Sequence, residues 1–148
     1  MSFIPDPDAG IKIGIYILPS CSHFSLASIE APLLHANNLL GHERYQLIYI
    51  ADSTERLAIS PRIELTIDYS IDDTPELDVL LVISERPPEE KITIRSRKFL
   101  QRMVHHSGVI LGGLDMGSYW LAQAGLLGTQ TVQTINRLPN GFNQGVFN

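Results

Sequence analysis

The chain has 148 residues, which suits one domain and hardly two. Hydrophobic residues make up 44% and charged residues 18%, enough for a real core and against a disordered or low-complexity chain. Sixteen acidic residues against eleven basic ones leave a formal charge of -5, which removes the cheapest electrostatic reason to expect nucleic-acid binding.

Residues 1–10, MSFIPDPDAG, read as a loose lead-in, acidic and proline-bearing, without the basic segment and apolar core of a signal peptide. IKIGIYILP (11–19) is an isoleucine-rich strand stopped by Pro19, of the kind covered on both faces of a sheet. Ser22 and Ser25 are candidate N-caps for a helix over SLASIEAPLLHANNLLG, with Leu26, Ile29, Leu33, Ala36 and Leu40 as its apolar face and Gly41 as its stop. Pro32 removes one backbone bond inside that helix, so a kink or break is expected near Glu30. YQLIYIA (45–51) is a second strand. LAIS and IELTID, between residues 52 and 77, suggest a small hairpin off the main sheet. DVLLVIS (78–84) is a third buried strand, and ERPPEEK breaks the chain after it. ITIRSRKFLQRMVHHS then forms a helix with Ile94, Phe99, Leu100 and Met103 toward the core and its basic residues toward water. GVILGG (108–113) is a fourth strand, leading through Leu114-Asp115-Met116-Gly117 into the short helix SYWLAQAGLLG. Strand–helix alternation of this kind predicts an α/β three-layer domain around a mostly parallel sheet. TVQTI in the tail, 129–148, could add one more strand, and nothing after it completes a layer.

Ligands of open α/β sheets sit beyond the carboxyl ends of the strands. Two such ends are distinctive, Leu18-Pro19-Ser20-Cys21-Ser22-His23 and Gly113-Leu114-Asp115-Met116-Gly117-Ser118. The second is a tight strand-to-helix turn that exposes Asp115 and aims helix amides at whatever binds there, with Gly117 allowing close approach. An ordinary N-capping aspartate explains the same spacing equally well.

YILPSCSHFSLASIEAPLLHANNLLG (16–41), LDVLLVIS (77–84) and above all GVILGGLDMGSYWLAQAGLLG (108–128) resemble the DJ-1/PfpI superfamily, the class I glutamine amidotransferase-like fold. More narrowly, they resemble the amino-terminal ligand-sensing domain of AraC-type transcriptional regulators. The resemblance covers roughly 11–128 and implies a flavodoxin-like sandwich, incomplete at its carboxyl end. Enzymes of the superfamily carry a nucleophilic cysteine at the elbow, often followed by histidine, and an acidic residue from the region after the first strand approaches it. The matching positions are Asp115 and Met116 at the elbow and Glu30 for the acid. The carboxylate is kept and the nucleophile is not, which implies loss of amidase, protease and deglycase activity. Regulators of this type add a carboxyl-terminal helix-turn-helix region, absent from these residues, so no DNA contact is expected through this chain alone. The chain then reads as a sensing domain of a longer regulator or as a shortened relative, with 129–148 a divergent or truncated tail.

The cleft so implied takes Cys21, Glu30, Asp115, Met116, Gly117, Ser118 and Tyr119 as its ligand-binding residues. Two carboxylates facing one cavity repel, and a bound cation removes the conflict; Tyr119 or Trp120 could supply an aromatic wall for it. A small cationic or zwitterionic nitrogenous effector is therefore expected. Cys21, the single cysteine, excludes an internal disulfide, and with His23 it could be a displaced nucleophile, although a space-filling thiol explains it better. The histidines at 23, 35, 42, 105 and 106 lack metal-helix spacing, so neither metal nor cofactor is expected. Arg95, Arg97, Lys98 and Arg102 read as a solvated helix face. No apolar run reaches the roughly 20 residues of a membrane span, and a cytoplasmic location with no membrane partner follows as the expectation. An incomplete sheet favours a homodimer. The leading function is a non-enzymatic effector-binding domain; the competing ones are a hydrolase or glyoxalase-like enzyme of the same superfamily, and a truncated domain serving only dimerisation or an accessory role.

Overall fold

A computed structural model of the chain describes residues 9–18, 21–86, 92–107 and 109–127. The elements in chain order are β1 (Ile11–Ile17), α1 (His23–Leu40), β2 (Tyr45–Ala51), β3 (Leu57–Ser60), β4 (Ile63–Leu65), β5 (Tyr69–Ser70), β6 (Val79–Ser84), α2 (Ile94–Ser107), β7 (Ile110–Asp115) and α3 (Gly117–Gln123). The main sheet runs β5-β2-β1-β6-β7, with every pairing parallel. β3 and β4 form the expected hairpin as a separate antiparallel pair. The chain builds outward from β1 to β2, then crosses to lay β6 on the other side, so strand order reverses between β1 and β6.

Adjacent residues of a strand point to opposite faces, and β1 divides the core accordingly. Tyr16 joins Ile48, Ile50, Leu80 and Val82 in a larger cluster with Phe99, Leu100 and Met103 of α2 and Leu121 of α3. Ile15 and Ile17 join Cys21, Leu26, Ala51, Ile67 and Ile83 in a smaller one beneath α1 and the hairpin. The result is the predicted α/β three-layer fold, with α2 and α3 on one face and α1 on the other.

Helix geometry overturns the expected break in α1 and the core place expected of Ile94. α1 runs unbroken from His23 to Leu40 with Pro32 inside it. Pro32 and Ser28 four residues before it are both exposed, so water can take the carbonyl that the missing N–H leaves behind. On α2, Ile94 is 75% exposed, and Ile92 takes the core place expected of it. The inward stripe is Ser96, Phe99, Leu100 and Met103, and two residues before Ser96 is about 200° around the helix. The apolar face drawn for α1 is also narrower than expected, for Leu26 is buried while Leu40 is 52% exposed. Most of the lead-in, the stop at Pro19, most of ERPPEEK, Gly108 and the tail strand TVQTI lie outside the described residues.

Candidate functional site

β6 and β7 end in register, Ser84 opposite Asp115, and the Met116 amide donates to the Ser84 carbonyl at 2.7 Å. Asp115 has φ 54°, the one non-glycine among the described residues with positive φ. Aspartate is among the few side chains that tolerate this left-handed region, and it places the carboxylate at the strand's carboxyl edge. Only Met116 separates β7 from α3. That tight return explains both flanking glycines: a Cβ on Gly113 would lie 2.3 Å from the Ser118 amide nitrogen, and one on Gly117 would lie 1.9 Å from the Val82 carbonyl oxygen. Gly117 thus serves the close approach of α3 to β6.

α1 meets this edge from the opposite side of β1. Ser22 is its N-cap, its hydroxyl accepting from the Ser25 amide at 3.4 Å. Ser25, the other candidate cap, is instead a buried residue of the first turn, and its hydroxyl donates to the Asp115 carboxylate at 2.5 Å. At that length the bond belongs to the stronger class of hydrogen bonds. Ser25 of α1 thus reaches Asp115, while Glu30, to which the resemblance pointed, lies further along the helix. Five residues of helix separate the two, about 140° in direction and about 7.5 Å along the axis. Glu30 accepts a hydrogen bond from the Tyr49 hydroxyl of β2.

Cys21 lies between these two pairs electrostatically. It is 3% exposed, and its thiol donates to the Ser22 carbonyl at 3.4 Å. Burial, reinforced by the Asp115 and Glu85 charges, pushes the thiol up to about 12. A thiol so placed is protonated at neutral pH and is a poor nucleophile. His23 is exposed at the start of α1, and the Cys21 thiol is turned to the Ser22 carbonyl. Burial first, then the Glu30 bond and charge, push the Tyr49 phenol upward, with Asp68 and Cys21 adding to the effect. Tyr49 thus stays a donor to Glu30 across the physiological range.

The remaining expected residues spread out from Asp115. Met116 is buried, 7% exposed, and Ser118 is buried with its hydroxyl donating to the Gly113 carbonyl at 3.4 Å. Tyr119 is partly exposed, and its hydroxyl accepts from the Gln123 side chain at 3.3 Å. Trp120 packs against the larger core cluster and donates to the Arg86 carbonyl at 3.4 Å, so Tyr119 is the ring left for an aromatic wall. Sequence reasoning missed Ser25 in this role and Tyr49 altogether. Ser25 could have been found from Asp115, because a carboxylate at a strand end calls for a donor from the facing helix turn. Nothing in the strand pattern marked Tyr49.

Polar residues also gather at the carboxyl edge of β1 and β2 on the α2 side. The buried Tyr16 hydroxyl donates to Asp52 at 2.6 Å and accepts from the Ser96 hydroxyl at 3.1 Å, and burial and Asp52 push its phenol upward. Thr93 caps α2, accepting from the Ser96 amide at 3.1 Å. Arg95 donates to Asp72 at 2.5 Å and to the Asp52 carbonyl at 2.7 Å. These bonds tie α2 to the sheet and are satisfied within the protein. Among the described residues there is no group of three or more His, Cys, Asp or Glu side chains that could hold a metal ion, and no helix is long and apolar enough to cross a membrane.

No family model matches the chain. It is similar to the HTH-type transcriptional regulator GbdR of Pseudomonas aeruginosa, 32% identical over 116 residues. That match takes in 78% of this chain and 31% of the regulator, so the chain spans under a third of the length of the curated relative it matches. Among solved structures it is similar to an AraC family transcriptional regulator from Pseudomonas putida, with TM-score 0.66 and 26% identity over 80% of this chain and 63% of that one. A ThiJ/PfpI domain protein from Brachyspira murdochii (TM-score 0.63, 12% identity, 85% of this chain and 71% of that one) shares the fold. So does a DJ-1 superfamily protein from Agrobacterium tumefaciens, with TM-score 0.59 and 14% identity over 79% of this chain and 60% of that one. The parallel sheet with its elbow at Asp115 has the fold of the DJ-1 and ThiJ/PfpI proteins, and in sequence the chain is similar to part of AraC-type and HTH-type transcriptional regulators.

Proposed function

We propose that this chain is the effector-binding part of a transcriptional regulator and takes a small cationic or zwitterionic nitrogenous metabolite at the carboxyl edge of β1, β6 and β7. The observation that carries the reading is the Ser25–Asp115 pair: a carboxylate on a left-handed elbow, held at 2.5 Å by the first turn of the facing helix. The Glu30–Tyr49 pair adds a second carboxylate on the same face of the sheet. An ammonium group beside Asp115 would find a fixed anion, and Tyr119 offers a partly exposed ring on the same turn. Cys21, Met116, Gly117 and Ser118 shape the floor and hold the elbow.

The domain performs no covalent chemistry in this reading. Asp115 stands where the resembled enzymes carry their cysteine, no histidine adjoins it, and the thiol of Cys21 is buried and protonated. Likeness to an HTH-type regulator supports a separate DNA-contacting region that reads the effector's presence through this domain, in the cytoplasm.

Thermal unfolding against amino acids, betaines, polyamines and neutral analogues tests the proposal. One ammonium compound should raise Tm saturably, as binding to the folded state alone requires. Asp115→Asn should lose that shift while melting cooperatively, because asparagine also tolerates the left-handed backbone. Stabilisation by neutral or anionic compounds alone would sink the cationic assignment.

A further inference from the structure

α1 is held to the sheet unevenly along its length. Its single charged side chain, Glu30, and its buried Ser25 both lie before Pro32. Each makes a bond that involves a carboxylate, Ser25 donating to Asp115 of β7 at 2.5 Å and Glu30 accepting from the Tyr49 hydroxyl of β2. After Pro32 the helix is fixed by Asn37, whose side chain donates to the Tyr45 carbonyl at 2.8 Å and accepts from the Tyr45 amide at 2.9 Å. Between these two parts the backbone ladder has a gap. Proline has no N–H, so the Ser28 carbonyl lacks its helical donor four residues on. The Ser28 hydroxyl is turned back to the Ser25 carbonyl at 2.7 Å, inside the first part. Leu26 is the apolar side chain that α1 buries, and it shares its core cluster with Cys21, directly before the cap residue Ser22.

We propose that the amino-terminal half of α1, residues 23–31, is a gate over the Asp115 edge that opens about Pro32, with the Ser25–Asp115 bond as its latch. Latch and hinge lie at opposite ends of the moving half. Ser25 is seven residues before Pro32, about 10 Å along the axis, so a small bend at the hinge carries its hydroxyl off the carboxylate. A bend there breaks no Ser28 backbone bond, because Pro32 has already removed it, and it leaves the Asn37 bonds to Tyr45 in place. Elements that move to admit ligands come from the parts of a fold with few buried apolar contacts. The gate rests on the effector reading only for what enters: Asp115 is the proposed anchor, and the helix turn that closes over it is the one bonded to it. When the hydroxyl leaves, the carboxylate lacks a donor that an ammonium group replaces. Cys21, 3% exposed and next to the cap of the moving half, reports the opening.

The test is alkylation of Cys21 by iodoacetamide at pH 8 in the 148-residue chain, followed against urea below the unfolding transition. When reclosing is fast, the labelling rate tracks the population of the open form. A gate exposes little surface, so the rate should be flat at low urea and join the steep limb of global unfolding only near the transition. Ser25→Ala should raise that flat rate about tenfold, through loss of one hydrogen bond to a charged group. Should it melt without cooperativity, Asp115→Asn reads the latch from its other side and should raise the rate in the same direction. Pro32→Ala, at an exposed position, restores the Ser28 backbone bond and should lower the flat rate about fivefold. Leu100→Ala, in the core on the α2 face, should move the global limb and leave the flat rate unchanged. A rate that rises steeply with urea from the outset, a flat rate indifferent to the latch variants or to Pro32→Ala, or one raised equally by Leu100→Ala would each overturn the gate. Ammonium compounds without effect on Tm would overturn the effector reading and leave the gate standing, so the two failures are distinguishable.

Discussion

The two faces of the sheet are covered by helices of opposite character. α2 is amphipathic: Ser96, Phe99, Leu100 and Met103 are buried, while Arg95, Arg97 and Lys98 are exposed. α1 buries only Ser25 and Leu26 and leaves apolar side chains on its outer face. The polar bonds differ in the same way. On the α2 face, Tyr16, Asp52, Thr93, Ser96, Arg95 and Asp72 tie the helix to the sheet, and Arg102 donates to the Ile71 carbonyl while lying 5.8 Å from the centre of the Phe99 ring. On the α1 face the described side-chain bonds to the sheet include two that end on carboxylates at Asp115 and Glu30. One face is organised around a packed helix and a closed network of side-chain bonds, and the other leaves the outer surface of its helix open.

Substitutions can break that contrast. Leu100→Ala, at a position with no exposure, should lower unfolding free energy by about 3–5 kcal/mol, measured by urea denaturation. A loss below about 1 kcal/mol would mean the α2 face is not the stabilising one. Ser25→Ala removes one hydroxyl donor from the Asp115 carboxylate and should lower stability by about 1–2 kcal/mol at neutral pH. An unchanged midpoint would show that water replaces the serine without loss.

The smallest effect sharpens the contrast through pH. Burial raises the Cys21 thiol to about 12, above its ordinary value of 9.0, so the folded state holds this proton more tightly than the unfolded chain does. The stabilisation is fully present below pH 9 and is lost as pH rises from there toward 12. Cys21→Ala should therefore flatten the alkaline fall in Tm while leaving the pH dependence near neutrality unchanged. Alkylation by iodoacetamide at pH 8 should be slow in the native chain and fast in denaturant. Equal rates would place the thiol in solvent.

The framework was legible because its signals are local. Continuous isoleucine and valine runs mark strands buried on both faces, Gly41 closes α1 with φ 73°, and the glycine spacing around Asp115 marks a return too tight for side chains. What escaped depends on which of several equivalent residues the tertiary structure selects. Ser22 and Ser25 are both plausible caps, and only the position of β7 turns the second toward Asp115. Ile92 and Ile94 compete for one core place, and the start of α2 decides between them. Glu30 matched the acidic position by its neighbours in sequence, yet helix periodicity sends it to Tyr49, so the contact at the elbow pairs a hydroxyl from the helix with a carboxylate from the strand.

The near absence of charge on α1 has a practical side. From Ile13 to Glu43 the chain contains neither lysine nor arginine, with Lys12 before that stretch and Arg44 directly after it. Trypsin therefore releases most of β1 and the whole of α1 as one peptide, with Phe24 and Ser25, adjacent in sequence but turned to opposite surroundings, in the same fragment. A footprinting label on the outer face and one near Asp115 would be counted on a single ion, each serving as the internal standard for the other.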